Sequence, residues 1–185
     1  MNKTKMQWLI DILVKNKDNR CKLMREVNKF MAENRFGNIS CPTGAGKSAV
    51  VYYDIAQQII NAKKNGKITF VISTPILRLN EQFTNDMFDT LVGANLIDAE
   101  NSVCGQLSSD YKAKEGTIEV GGIDTGIIKE DAEEALKSDY QFKFIIACHK
   151  SVEKMFTDYS KYIGKNDNIS FYFDESHTLS ITGEN

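Results

Sequence analysis

Two short stretches hold residues whose types and spacing could do chemistry. The first is "CPTGAGKSAV", residues 41–50. Glycines at 44 and 46 let backbone N–H groups turn inward toward an anion. Lys47 would reach the β- and γ-phosphates of a nucleotide, and the Ser48 hydroxyl would ligate Mg²⁺. The common form of such a loop, G-x-x-x-x-G-K-[S/T], has a glycine where this chain has Cys41. The second stretch is "ISFYFDESH", residues 169–177. Its apolar run reads as a strand with Asp174 and Glu175 at the C-terminal end, the edge where open α/β sheets bind ligands. Asp174 suits Mg²⁺ held through its water shell, and Glu175 suits polarisation of a hydrolytic water. Each stretch alone also reads as something plain: a turn before a helix, or a solvated acidic pair. Together they supply both halves of a nucleotide-hydrolysing site.

Those groups must be positioned by strand, loop and helix in that order. "FGNISC" reads as a short strand climbing into the loop. After Lys47, Val51, Ile55 and Ile59 recur at helical spacing, and "KKNG" ends that helix near Gly66. "KITFVIST" and "FKFIIAC" read as buried strands, and "NISFYFDE" as the last one. Helices are expected over about 4–16, 21–34, 77–92 and 149–159, and across "KEDAEEALKSD". Residues 93–128 are rich in Gly, Ser and Asp, with "TIEV" and "GIDTGII" as short strands. Strands alternating with helices predict an α/β domain with a mostly parallel sheet flanked by helices.

Composition bounds the rest. The 185 residues are 42% hydrophobic and 26% charged, which suits one folded domain spanning 1–185. A net charge of −2 neither demands nor excludes nucleic acid, because a local basic stripe can sit on a slightly acidic protein. Cys21, Cys41, Cys104 and Cys148 are widely spaced and read as reduced thiols, Cys41 as a small residue filling the turn. No apolar run is long enough to cross a bilayer, and the N-terminus reads as an amphipathic helix, so a cytoplasmic protein with no membrane partner is expected. Lys63, Lys64 and Lys67 read as a solvated helix end, and His149 as structural or surface.

P-T-G-A-G-K-S and D-E-S-H resemble motifs I and II of superfamily-2 helicases, the DEAD/DEAH-like group. There the first loop position need not be glycine, which accommodates Cys41. "TPILRLNEQ", residues 74–82, resembles the family's motif Ia, T-P-x-x-x-L-x-x-Q, and follows the strand that should present it. The resemblance covers about residue 20 to the end and is nearest the type III restriction-enzyme-like branch. It implies a RecA-like P-loop NTPase domain. Pro42, Thr43, Gly44, Ala45, Gly46, Lys47 and Ser48 would cradle ATP, Ser48 and Asp174 would serve Mg²⁺, and Glu175 and Lys47 would be catalytic. His177 would couple the nucleotide site to neighbouring motifs, or be a surface histidine. Thr74, Arg78 and Gln82 would lie along a nucleic-acid backbone, DNA ahead of RNA, although Arg78 equally reads as an exposed helix residue.

The chain departs from the pattern in four places. Arg20 is present upstream, but Leu23 stands where the family has an adenine-reading glutamine. Motif II has Ser176 in place of alanine. Residues 1–34 form N-terminal helices, and about 93–140 are expected to be a variable insertion. The family's second motor domain, which supplies arginines to the γ-phosphate, is not in the sequence, so a second domain or partner subunit is expected to complete activity. Two classes of function therefore stand: the ATP-binding first motor domain of a DNA helicase or translocase, or a non-motor nucleotide-binding or assembly module. A DNA-packaging ATPase would share motifs I and II but accounts less well for "TPILRLNEQ".

Overall fold

A strand of seven buried residues, Ile68–Thr74 (β1), organises the domain. The computed structural model describes residues 9–11, 22–34, 36–40, 46–64, 66–75, 77–107, 115–164 and 167–174. Within them, helices Lys22–Glu33 (α1) and Lys47–Ile60 (α2) precede β1, and Leu77–Gly93 (α3) follows it. Then come Ser102–Leu107 (β2), Gly116–Val120 (β3), Ile123–Asp131 (β4) and Ala132–Lys137 (α4). Phe142–Cys148 (β5), His149–Val152 (α5), Lys154–Thr157 (α6), a 3-10 turn and Asn168–Phe173 (β6) complete the order.

The strands form one sheet in the order β3-β4-β2-β5-β1-β6. Only the β3–β4 pair is antiparallel. β1 and β5 are buried on both faces, which is why each reads in sequence as an unbroken apolar run rather than an alternating one. Their side chains still alternate between two cores. Phe70, Ile72, Phe144 and Ile146 pack with Ile55 of α2 and Met87, Phe88 and Leu91 of α3. Val71, Ile145 and Ala147 pack on the other face with Ala132, Ala135 and Leu136 of α4 and with Val152 and Met155. Phe144 anchors the first core, stacking on Phe70 at 5.2 Å and tilting against Phe88 at 5.1 Å.

Several expectations are corrected. α2 ends at Ile60 rather than near Gly66, because Asn61 turns its side-chain amide onto the Gln57 carbonyl at 2.8 Å and competes with the next helical turn. Residues 36–40 form no strand; Ile39 packs on the core, but Gly37 and Asn38 give pairing little to bury. The 149–159 helix is broken into α5 and α6. Residues 129–131 belong to β4, and Asp131 caps α4 by accepting from the Glu133 amide at 2.8 Å. The 4–16 helix lies outside the described residues except at 9–11, where Leu9 and Ile10 are buried. No described helix is long and apolar enough to cross a membrane.

β2 has no counterpart in the sequence reading, yet it sits between β4 and β5. Residues 93–140, expected to be an insertion, thus hold three of the six strands. Gly105 explains the sheet–helix contact there: a Cβ would meet Ala135 Cβ and Ile145 Cδ1 at 2.8 Å and the Ala132 backbone at 2.9 Å. Gly105→Ala should therefore force α4 off the sheet and cost about 1–3 kcal/mol. Calorimetry should read this as a Tm lowered by about 3–10 °C. An unchanged Tm would mean that α4 can retreat without loss.

Candidate nucleotide site

The parallel register brings three strand ends to one edge. Thr74 pairs with Cys148, and Ser73 with Phe173, so β1, β5 and β6 stop at the same level. Asp174 is held there by its own backbone, its amide donating to the Ser73 carbonyl at 2.9 Å. This is the edge that ligands occupy in open α/β sheets.

α2 delivers the other half. Gly46 takes the left-handed conformation, φ 90°, at the residue before the helix, and the space a Cβ would fill is open. A side chain there would be strained, so glycine is required by the turn itself. The Val50 amide donates to the Gly46 carbonyl at 3.2 Å, which begins the helical ladder at the glycine. Among the described residues no side chain caps this end of α2. The positive end of its dipole lies here and favours an anion. Lys47 and Ser48 occupy the first turn and are half-buried. Pro42, Thr43, Gly44, Ala45 and Cys41 lie outside the described residues, as do Glu175, Ser176 and His177.

One side chain absent from the sequence reading ties α2 to α3. Tyr52, one helical turn beyond Ser48, is 1% exposed. Its phenol donates to the Phe83 carbonyl of α3 at 3.2 Å, and its ring meets Phe83 edge-on at 4.8 Å. Burial pushes the phenol's pKa up, with the carboxylates of Asp86 and then Asp174 adding to the rise, while a hydrogen bond from Ser48 opposes it. The sequence signal was a tyrosine four residues past the serine on an otherwise apolar face.

A second polar knot ties the strand ends together. Ser73 Oγ lies 2.7 Å from His149 Nδ1, so His149 is a structural partner of β1, and its buried Nε2 has no hydrogen-bond partner. Thr74 Oγ1 donates to Asn80 Oδ1 at 2.8 Å, and Asn80 Nδ2 donates to Cys148 Sγ at 3.5 Å. Thr74, expected on a nucleic-acid backbone, is buried and its hydroxyl donates into the first turn of α3. Gln82, on the same helix, is exposed. Arg78 lies in the first turn of α3.

The residues present fit a magnesium nucleotide: a helix start at a left-handed glycine for phosphate, a serine hydroxyl, and a carboxylate at a strand end. Mg²⁺ bound to phosphates needs only one or two protein ligands. No cluster of three or more His, Cys, Asp or Glu side chains able to hold a metal occurs among the described residues.

A mostly parallel sheet with a glycine-turned helix start facing an acidic strand end defines a P-loop α/β domain. The family model for the type III restriction enzyme res subunit matches residues 7–183, and the chain belongs to that family. It is thus a RecA-like, ATP-binding motor domain of the superfamily-2 helicase type. Curated proteins and solved structures gave no match. Domains of this family generally use ATP with a divalent metal.

Tyr52→Phe should remove one buried hydrogen bond and cost about 1–2 kcal/mol. Urea unfolding should show a lower midpoint with an unchanged slope. An unmoved midpoint would mean that the phenol contributes nothing net to the junction of α2 and α3.

Proposed function

We propose that this chain is the first motor domain of an ATP-dependent DNA helicase or translocase. The observation that supports the reading is the shared edge: Asp174 follows β6 at the level where β1 and β5 end, and α2 starts at the left-handed Gly46. In this reading, residues Pro42 to Ser48 cradle the phosphates of ATP. Lys47 neutralises the β- and γ-phosphates, Ser48 and Asp174 hold Mg²⁺ with its waters, and Glu175 orients the attacking water. His177 carries the state of the nucleotide to neighbouring segments. Gln82 and Arg78 supply backbone contacts to nucleic acid from α3, and Thr74 holds the start of that helix in place. Motors of this kind grip a strand through polar contacts to phosphate and sugar. DNA stands ahead of RNA because the family is named for restriction enzymes.

We further propose that 1–185 is a single domain with its first 34 residues as N-terminal helices. A second motor domain or partner subunit would complete the catalytic cleft. Arginines supplied across such a cleft contribute about 10³ to 10⁵ in rate. A cytoplasmic setting suits the free thiols of Cys104 and Cys148, the first buried with its pKa pushed up to about 12.

Equilibrium binding and hydrolysis of Mg-ATP, with and without single- and double-stranded DNA, test this reading. Lys47→Ala should lose most nucleotide affinity. Glu175→Gln should keep binding and abolish turnover. Unchanged affinity in Lys47→Ala would sink the site assignment. Nucleotide binding with no turnover in the presence of DNA and a second motor domain would make the chain a binding module rather than a motor.

A further inference from the structure

α2 and β6 carry the two halves of the nucleotide site, and four polar side chains join them. Tyr172 Oη donates to Asp54 Oδ2 at 2.5 Å. Gln58 Nε2 donates to the same carboxylate oxygen at 2.9 Å and to Tyr172 Oη at 2.7 Å. Ser170 Oγ donates to Gln58 Oε1 at 2.8 Å. Asp54 and Gln58 are four apart on the helix, and Ser170 and Tyr172 are two apart on the strand, so each pair shares one face. Two helix positions thus meet two strand positions in register.

We propose that this cluster is a positioning clamp that fixes the distance between Ser48 and Asp174, and with it the affinity for the divalent cation beside a bound nucleotide. The proposal rests on the nucleotide-site reading above. The lever arms are short. Asp54 lies six residues beyond Ser48, about 9 Å along the helix. Tyr172 lies two residues before Asp174, about 7 Å along the strand. Among the described strands, β6 pairs with β1 alone, so one of its edges has no ladder to set its height. Apolar packing between α2 and β6 tolerates small slides, whereas a carboxylate accepting two short hydrogen bonds does not. Tyr172 is 8% exposed, and its hydroxyl donates to Asp54 while accepting from Gln58. None of the four residues falls in the phosphate loop, at Asp174 or along α3, so the clamp acts through Ser48 and Asp174 rather than on the nucleotide.

A purely stabilising network would lower Tm without changing how the metal binds. Mg²⁺ titration of a fluorescent ATP analogue on the full chain separates the two. Tyr172→Phe should raise the Mg²⁺ concentration at half-saturation about tenfold, the lower end of the range for losing an outer partner of a metal site, and Ser170→Ala should raise it by less. Nucleotide affinity in EDTA should stay at the unsubstituted level. Ser170→Ala removes one outer hydroxyl and carries the test if Tyr172→Phe fails to fold. A lowered Tm with an unmoved Mg²⁺ half-saturation would overturn the clamp and leave the nucleotide site standing. Absence of nucleotide binding by the unsubstituted chain, matched by Lys47→Ala, would overturn both.

Discussion

Everything at the candidate site hangs from the C-terminal end of β1. The strand is buried along its whole length between β5 and β6. Its backbone therefore has one place to be, and its neighbours take their height from it. Asp174 is fixed by the Ser73 carbonyl, His149 by the Ser73 hydroxyl, and the start of α3 by the Thr74 hydroxyl. One rigid strand end thus positions a carboxylate, an imidazole and a helix at once. Fully paired parallel strands in a close-packed core make such an end stiff.

The polar contacts fall at two levels. At the sheet edge they bind the strand ends to one another. One to two turns along α2 they bind that helix to α3 through Tyr52 and to β6 through the Asp54–Tyr172 cluster. Between these levels the interface is apolar, with Ile55, Phe70 and Ile72 in one continuous core. The division is physically sensible. Apolar burial supplies most of the adhesion, while hydrogen bonds of modest net strength choose one alignment among several of similar energy.

Much of this frame was legible in the residues. β1 and β5 announced themselves as β-branched and aromatic runs. β2 was not legible, because "SVCGQL" contains Gly105 and polar Ser102 and Gln106, and strands buried on both faces show no alternation to detect. The hydroxyl of Thr74 matched a motif that faces a ligand, but its burial depends on Asn80, whose orientation no local pattern encodes. The clamp was invisible for a simpler reason. Its partners are separated by 112 to 118 residues in the chain, and a tyrosine in an apolar strand looks like core until its neighbour across space is known.

That same separation governs when the site can exist. β1 pairs residue for residue with β5, beginning at Ile68 and Phe142, and with β6, beginning at Ile68 and Asn168. A chain emerging from its N-terminus completes the phosphate-loop helix long before it contains the strand that bears Asp174. Pairings this distant close slowly, because the intervening loop entropy must be lost before any contact forms. α2 and the strand end bearing Asp174 are thus joined only through pairings that close slowly. β6, paired on one side only among the described strands and half-exposed, is also the strand placed to fray first. A nucleotide bridging α2 and Asp174 would act on that step as a folding ligand, tying down the strand that arrives last.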